Sequence, residues 1–266
     1  MRKLFWALIM ILASSILAFS QGPVQVGWAV ITPVSATTSG MVVFETFGLS
    51  RGNETTQAGI LPPDLTTNAI LFVSTSGRLS RNLGVAIVNP QSTSVNVTMT
   101  LRRDDGTPVA TAVTTTLTAQ QQIARFVTEL FSGPSIPADF TGTLTLTSTA
   151  PVSIVGLRFR GLNFSTIPIT NLSTAGSMPT IGPGVGGAGA ILLPQFAVGG
   201  GWATEIGIVN TGSTALTVRL DLFKPDGTAL TATLNGTAAS SFTGLTIPAA
   251  GVLTIAQRNP NGDDDF

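Results

Sequence analysis

The 266-residue chain contains no cysteine, no histidine and no tyrosine. Without cysteine there are no disulfides, and without either cysteine or histidine a zinc or copper site has lost its preferred ligands. The absence of histidine also removes the usual base of a Ser-His-Asp or Cys-His centre. Charged residues are scarce, at 10%, and aromatic residues make up 6%. Beyond the N-terminus no stretch approaches the ~20 apolar residues that a membrane-spanning helix needs.

What is present begins with an export pattern. Arg2 and Lys3 precede a run from Leu4 to Phe19 that only Ser14 and Ser15 interrupt, and Ala18-Phe19-Ser20 places small residues where a signal peptidase reads. Residues 1–20 are therefore expected to be a secretory signal peptide. No cysteine follows, which excludes a lipoprotein anchor. Removing Arg2 and Lys3 takes the 13 basic residues to 11, against 13 acidic ones. A balance this close to neutral argues against nucleic acid or an anionic membrane as partner. An exported chain without disulfides fits a bacterial source, its fold held by burial and sheet hydrogen bonds alone.

Threonine is abundant, with 39 copies, and it suits the wet face of a half-buried sheet. Val95, Val97, Met99 and Leu101 alternate with polar residues, as do Leu144 and Leu146, and again Val218, Leu220 and Leu222. This period of two predicts strands packed on one face only. "RRDDGTPV" and "FKPDGTAL" each set Asp-Gly between two such runs, a hairpin signal. A helical period is absent apart from one turn's worth near Val127 to Phe131.

The chain also repeats itself. At an offset of 121, ten of the twenty-one positions from Ile87 to Thr107 recur, among them Asn89/Asn210, Val97/Val218, Leu101/Leu222 and Asp105-Gly106-Thr107/Asp226-Gly227-Thr228. These define a half-module B, at about 70–131 (B1) and about 190–256 (B2). A weaker likeness links 26–47 with 141–159, each a strand, a polar break and a more apolar strand; these open half-modules A1 and A2. The order is A-B-A-B. The expected fold is all-β, two immunoglobulin-like antiparallel β-sandwiches built from interleaved halves. Residues 67–172 are expected to form one sandwich. Residues 21–66 plus 187–258 are expected to form the other, within one chain or between chains. Residues 173–186 read as a Gly-rich linker and 259–266 as an acidic tail.

"LPQFAVGGGW", the "IVN" strand before a Ser/Thr turn and "DG", "GWAVI", and "VSIVGLRFR" with "FSTIPIT" together resemble tandem repeats of large proteins secreted by environmental bacteria, Acidobacteriota above all. The resemblance covers about 24–258. It implies immunoglobulin-like sandwiches outside the cell and no particular activity. In that family the "PQF…GGGW" half usually comes first; here it comes last.

Motifs that could carry chemistry read as structure. "GLSRG" (48–52) matches a hydrolase elbow, but no histidine can serve Ser50 and no helix pattern follows it. "GPGVGG" (182–187) matches a dinucleotide loop, but "AGAILLPQF" after it is not helical. Asp104-Asp105 reads as a turn and Asp263-Asp264-Asp265 as a solvated tail, neither spaced as a calcium loop. Glu45, Glu54, Glu129 and Glu205 show no spacing that predicts a carboxylate pair. Trp28 and Trp202, at the ends of A1 and B2, read as packing residues, with a sugar platform the alternative. The ending "NPNGDDDF" lacks the alternation of an outer-membrane barrel. No catalytic, cofactor or metal-binding residue is identified, and no ligand-binding residue is assigned. The function expected is that of a non-catalytic structural or interaction protein, secreted or at the cell surface: a spacer, matrix or head-to-tail filament component. A module that adheres to glycan or to a surface protein is the alternative.

Overall fold

A computed structural model describes residues 26–34, 41–51, 54–132, 136–174, 187 and 189–259. The expected signal peptide, the "GPGVGG" loop except Gly187, and the acidic tail after Asn259 lie outside these residues. The fold is all-β and its sheets are antiparallel. The one helix among the described residues is the four-residue α1 (Val127–Leu130), where the sequence suggested a single turn. Among the described residues no helix is long and apolar enough to cross a membrane.

The main sheet contains eight strands: β3 (Thr66–Ser76), β4 (Arg81–Val88), β5 (Val95–Arg103), β6 (Val113–Leu117), β7 (Gln122–Phe126), β8 (Asp139–Arg160), β9 (Asn163–Ile167) and β10 (Thr170–Asn171). β8 organises it. Its first half lies between β3 and β5, with Leu144 opposite Leu71 on one side and Leu101 on the other. Its second half lies between β4 and β9, with Leu157 opposite Gly84 and Thr166. The exchange of partners falls at Ala150-Pro151. Proline has no N–H to give the ladder; β5 stops short of it, and β3 passes it only through a register shift that sets Thr66 opposite Val152. One strand thereby runs through two layers. The inward residues of both halves, Leu144 and Leu146, then Val152 and Ile154, share one buried cluster with Leu71, Val85, Ile87, Val97, Met99 and Leu101. These are the alternating apolar positions of the sequence, now facing one another.

Residues 205–256 make shorter ladders around a second cluster. β11 (Glu205–Val209) pairs with β16 (Val252–Ala256), β12 (Leu216–Asp221) with β15 (Ser241–Ile247), and β13 (Ala232–Leu234) with β14 (Thr237–Ala239). Leu222, Ala232, Leu234, Phe242 and Ile255 are buried between them. Near the N-terminus, β1 (Glu45–Arg51) and β2 (Glu54–Ile60) form a hairpin. Its Phe47 ring stacks on Phe164 of β9 at 5.2 Å, and Thr56 donates a hydrogen bond to Asn163. Segments 21–66 and 187–258, expected to share a sandwich, share no strand ladder within this chain among the described residues.

Candidate assembly surface

The site is best seen by placing B2 on B1. The sequence duplicated at offset 121 folds alike wherever its bonds are local. Asn89 follows the end of β4, and its buried side-chain amide donates to the carbonyls of Thr93, Leu117 and Thr118 at 2.8–3.1 Å. Asn210 does the same after β11, donating to Thr214, Ile247 and Pro248 at 2.7–3.2 Å. Each Oδ1 accepts the N–H two residues on, from Gln91 and Gly212. Asparagine fits because one side chain both closes a turn and supplies donors to buried carbonyls.

The Asp-Gly turns also match. Asp105 accepts from the N–H and hydroxyl of Thr107 at 2.8 and 2.6 Å, and Asp226 from those of Thr228 at 2.9 and 2.7 Å. The Thr107 hydroxyl, then its N–H, hold the Asp105 carboxyl below the ordinary carboxylate range, and Thr228 acts likewise on Asp226. Gly106 and Gly227 both take φ in the left-handed region, at 86° and 83°.

The likeness breaks at some apolar positions, although Leu222 is buried like Leu101 and Ile206 like Val85. Leu71 is 1% exposed, whereas Leu192 at the matching place is 63% exposed; Val95 is 0% exposed and Leu216 44%. Each buried member of these pairs lies in a strand beside β8. β4 has β7 on one edge and β8 on the other, and β5 has β6 and β8. In B2, β11 pairs only with β16, and β12 only with β15, among the described residues. Residues 190–198, matching the second half of β3, form no strand. B2 therefore offers two open strand edges and exposed Ile191, Leu192, Leu193 and Leu216. Open edges beside apolar side chains are a template for another strand.

B2 leans on the main sheet through contacts among the described residues. Arg158 pairs with Glu205 at 2.9 Å, with little of either side chain exposed. The ring of Phe72 lies against Gly207. The Val252 N–H donates to the Asp104 carbonyl at 2.9 Å. Beside this last contact Gly106 meets the turn before β16 so closely that a Cβ would stand 2.0 Å from the Ala249 carbonyl, whereas Gly227 has open space around it.

The chemical motifs fall elsewhere. Ser50 lies in β1 opposite Thr55, its hydroxyl 3.3 Å from that of Thr55, and forms no strand-to-helix elbow. Glu129 accepts the Phe126 N–H at the start of α1, Glu205 pairs with Arg158, and Glu45 lies in β1. These three serve different elements and do not converge; the side chain of Glu54 lies outside those described. Among the described residues no group of three or more Asp or Glu is placed to hold a metal ion. Trp28 lies outside any strand; Trp202 stands 72% exposed after the three positive-φ glycines 199–201.

A polar cleft of about 440 Å³ has no signature in the sequence pattern. Arg78, Arg81, Arg103 and Arg258 line it with Asp104 and Asp139. Arg81 donates to Ser74 at 2.9 Å, and the Ser76 hydroxyl donates to Asp139. Its members come from four distant stretches, so no motif announces it. A groove of about 540 Å³ runs between Gly59–Asp64 and the β8–β9 hairpin, lined by Leu61, Pro62, Ile167 and Pro168 among others.

No protein-family model matches the chain, and no curated protein matches it. Among solved structures, the Anabaena sensory rhodopsin transducer is 20% identical over 35% of this chain and 95% of its own, with a TM-score of 0.30. The crystal structure of Thermotoga maritima 1070 is 14% identical over 40% of this chain and 90% of its own, also at 0.30. Similarity at this level carries no argument about function.

Proposed function

We propose that the chain is a non-catalytic structural protein, exported by a bacterium, that acts by associating with other molecules outside the cell or at its surface. The observation that carries this is the unequal burial of a duplicated half: B2 buries Leu222 as B1 buries Leu101, but it leaves Leu192 and Leu216, the matches of Leu71 and Val95, exposed beside strand edges unpaired among the described residues. Surface of this kind is costly in water unless a partner covers it. The export pattern at residues 1–20 and the resemblance to secreted repeat proteins place the partner outside the cytoplasm in this reading.

The test is expression with residues 1–20 in a bacterium, then fractionation, N-terminal sequencing and sedimentation. The expected product begins at Gln21, lies in the medium or on the cell surface, and sediments as more than one chain. Retention in the cell with residues 1–20 intact, or a single-chain species at every concentration, would overturn the reading. The exposure of Trp202 favours a second one, adhesion to glycan. That reading expects polysaccharide to change Trp fluorescence in the native chain but not in Trp202→Phe.

A further inference from the structure

The main sheet shows what completes a B half. A2 contributes the two halves of β8, one between β3 and β5, the other beside β4. Its end then turns back as β9, Arg160 facing Asn163. A1 has the matching parts. β1 and β2 form a hairpin of the same kind, Arg51 facing Glu54 across a two-residue connection. β1 pairs with β2 alone among the described residues, so its other edge is open, as the edge of β8 would be without β4. Before it, residues 26–32 correspond to the first half of β8. They form no strand here, and Val26, Val30 and Ile31 are exposed.

We propose that residues 26–32 and 41–51 of a second copy of this chain complete B2. Residues 26–32 would add to the open edge of β12 and β1 to that of β11, covering Leu192 and Leu216 as β8 covers Leu71 and Val95. This rests on the reading of the chain as an assembling protein and names its partner.

A second copy is favoured because both halves are already committed within one copy. The β1–β2 hairpin is held against β9 by Phe47 and Thr56, while B2 is held by Arg158, Phe72 and Asp104, and no ladder joins the two among the described residues. Donor and acceptor are different surfaces, so the contact is heterologous. Such a contact adds copies head to tail until a ring closes or a filament grows. Backbone pairing would supply the bonds and the alternate apolar side chains the specificity.

Light scattering of the secreted chain over a concentration series tests this with two double variants at exposed positions. Val30→Lys with Ile31→Lys disables the donor; Leu192→Lys with Leu216→Lys disables the acceptor. Wild type is expected to gain mass with concentration. Each variant alone is expected to keep the mass of one chain, and an equimolar mixture to double it and go no further, since one intact donor meets one intact acceptor. The doubling also shows that both variants are folded. If wild type assembles and both variants assemble equally well, the chain is an assembling protein but this contact is not the means. If wild type assembles and the mixture stays at one chain's mass, the pairing is likewise overturned. Wild type at one chain's mass throughout would remove the assembly reading as well.

Discussion

Leu71 and Leu192 hold the same place in two copies of one sequence pattern, yet one lies in the core and the other stands in solvent. The same pattern places Asn89 and Asn210 in near-identical hydrogen bonds. The contrast separates what a half-module does alone from what it needs another half to do. The bonds shared by the two copies close between residues of the same half, the Asp-Gly turn and the asparagine corner. The burial that differs depends on β8, which comes from another half. In the reading proposed above, the apolar side chains that B2 leaves exposed specify a partner strand. Its own cluster of five buried residues is small beside the eighteen of the main sheet among the described residues.

The largest expected effect tests that contrast directly. Leu71→Ala removes a fully buried side chain and should cost ~2–5 kcal/mol in denaturant unfolding. Leu192→Ala, measured at low concentration on single chains, should stay within ~0.5 kcal/mol of wild type. An equal cost at both positions would mean that Leu192 is buried in solution and that the two halves do not differ. A cost at Leu192 that grows with protein concentration would sharpen the comparison, because only an assembled B2 buries it.

The asparagines should behave alike where the leucines do not. Asn89→Ala and Asn210→Ala each leave buried carbonyls without a donor, and each should lower stability by ~1–3 kcal/mol. Thermal unfolding is expected in two steps, B2 first because its core is small. Asn210→Ala should move the lower step and Asn89→Ala the upper one. A single step shifted equally by both would show that B2 and the main sheet unfold as one unit.

Much of this architecture was legible in residues. The period of two in Val95 to Leu101 and Val218 to Leu222 marks strands, and the offset of 121 locates the matching turns. Leu144 and Leu146 marked only part of β8. Its continuation through Pro151 was not legible, because proline signals a break in a ladder and says nothing of a strand that takes new partners beyond it. The asparagine corner showed only as an identity; its donors meet carbonyls up to 38 residues away. The arginine cleft and the Gly106–Ala249 contact were hidden for the same reason, since tertiary approach joins residues that no short pattern connects. The open edges of B2 were foreshadowed only by the count of halves.

Gly106 and Gly227 allow a smaller comparison. Both hold a positive φ, so alanine at either should cost ~1–2 kcal/mol in backbone strain. At Gly106 the new Cβ also meets the Ala249 carbonyl. Gly106→Ala should therefore loosen B2 from the main sheet, read as faster amide exchange at Val252, while Gly227→Ala leaves that amide unchanged. Equal exchange in the two variants would show that the turn contact does not hold B2 in place.

The smallest expected effect is on pH. Asp105 and Asp226 are held below the ordinary carboxylate range by their threonine partners, and Asp221 by the Ser241 hydroxyl first and by Arg219 as well. A carboxyl whose folded value lies below its unfolded one binds protons more readily in the unfolded chain. Its stabilisation is present above the unfolded value of about 3.9 and fades as pH falls through the folded one. Two of the three carboxyls belong to B2, because the position matching Asp221 in B1 is Thr100. Acidification from about pH 5 to about pH 2.5 should thus lower the first unfolding step more than the second. Asp221→Asn should bring the two closer to parallel, because Asp105 and Asp226, one in each half, accept the same bonds from the matching threonines Thr107 and Thr228. Steps that fall together in the unaltered chain would show that Asp221 contributes nothing to B2 beyond what the turn already supplies.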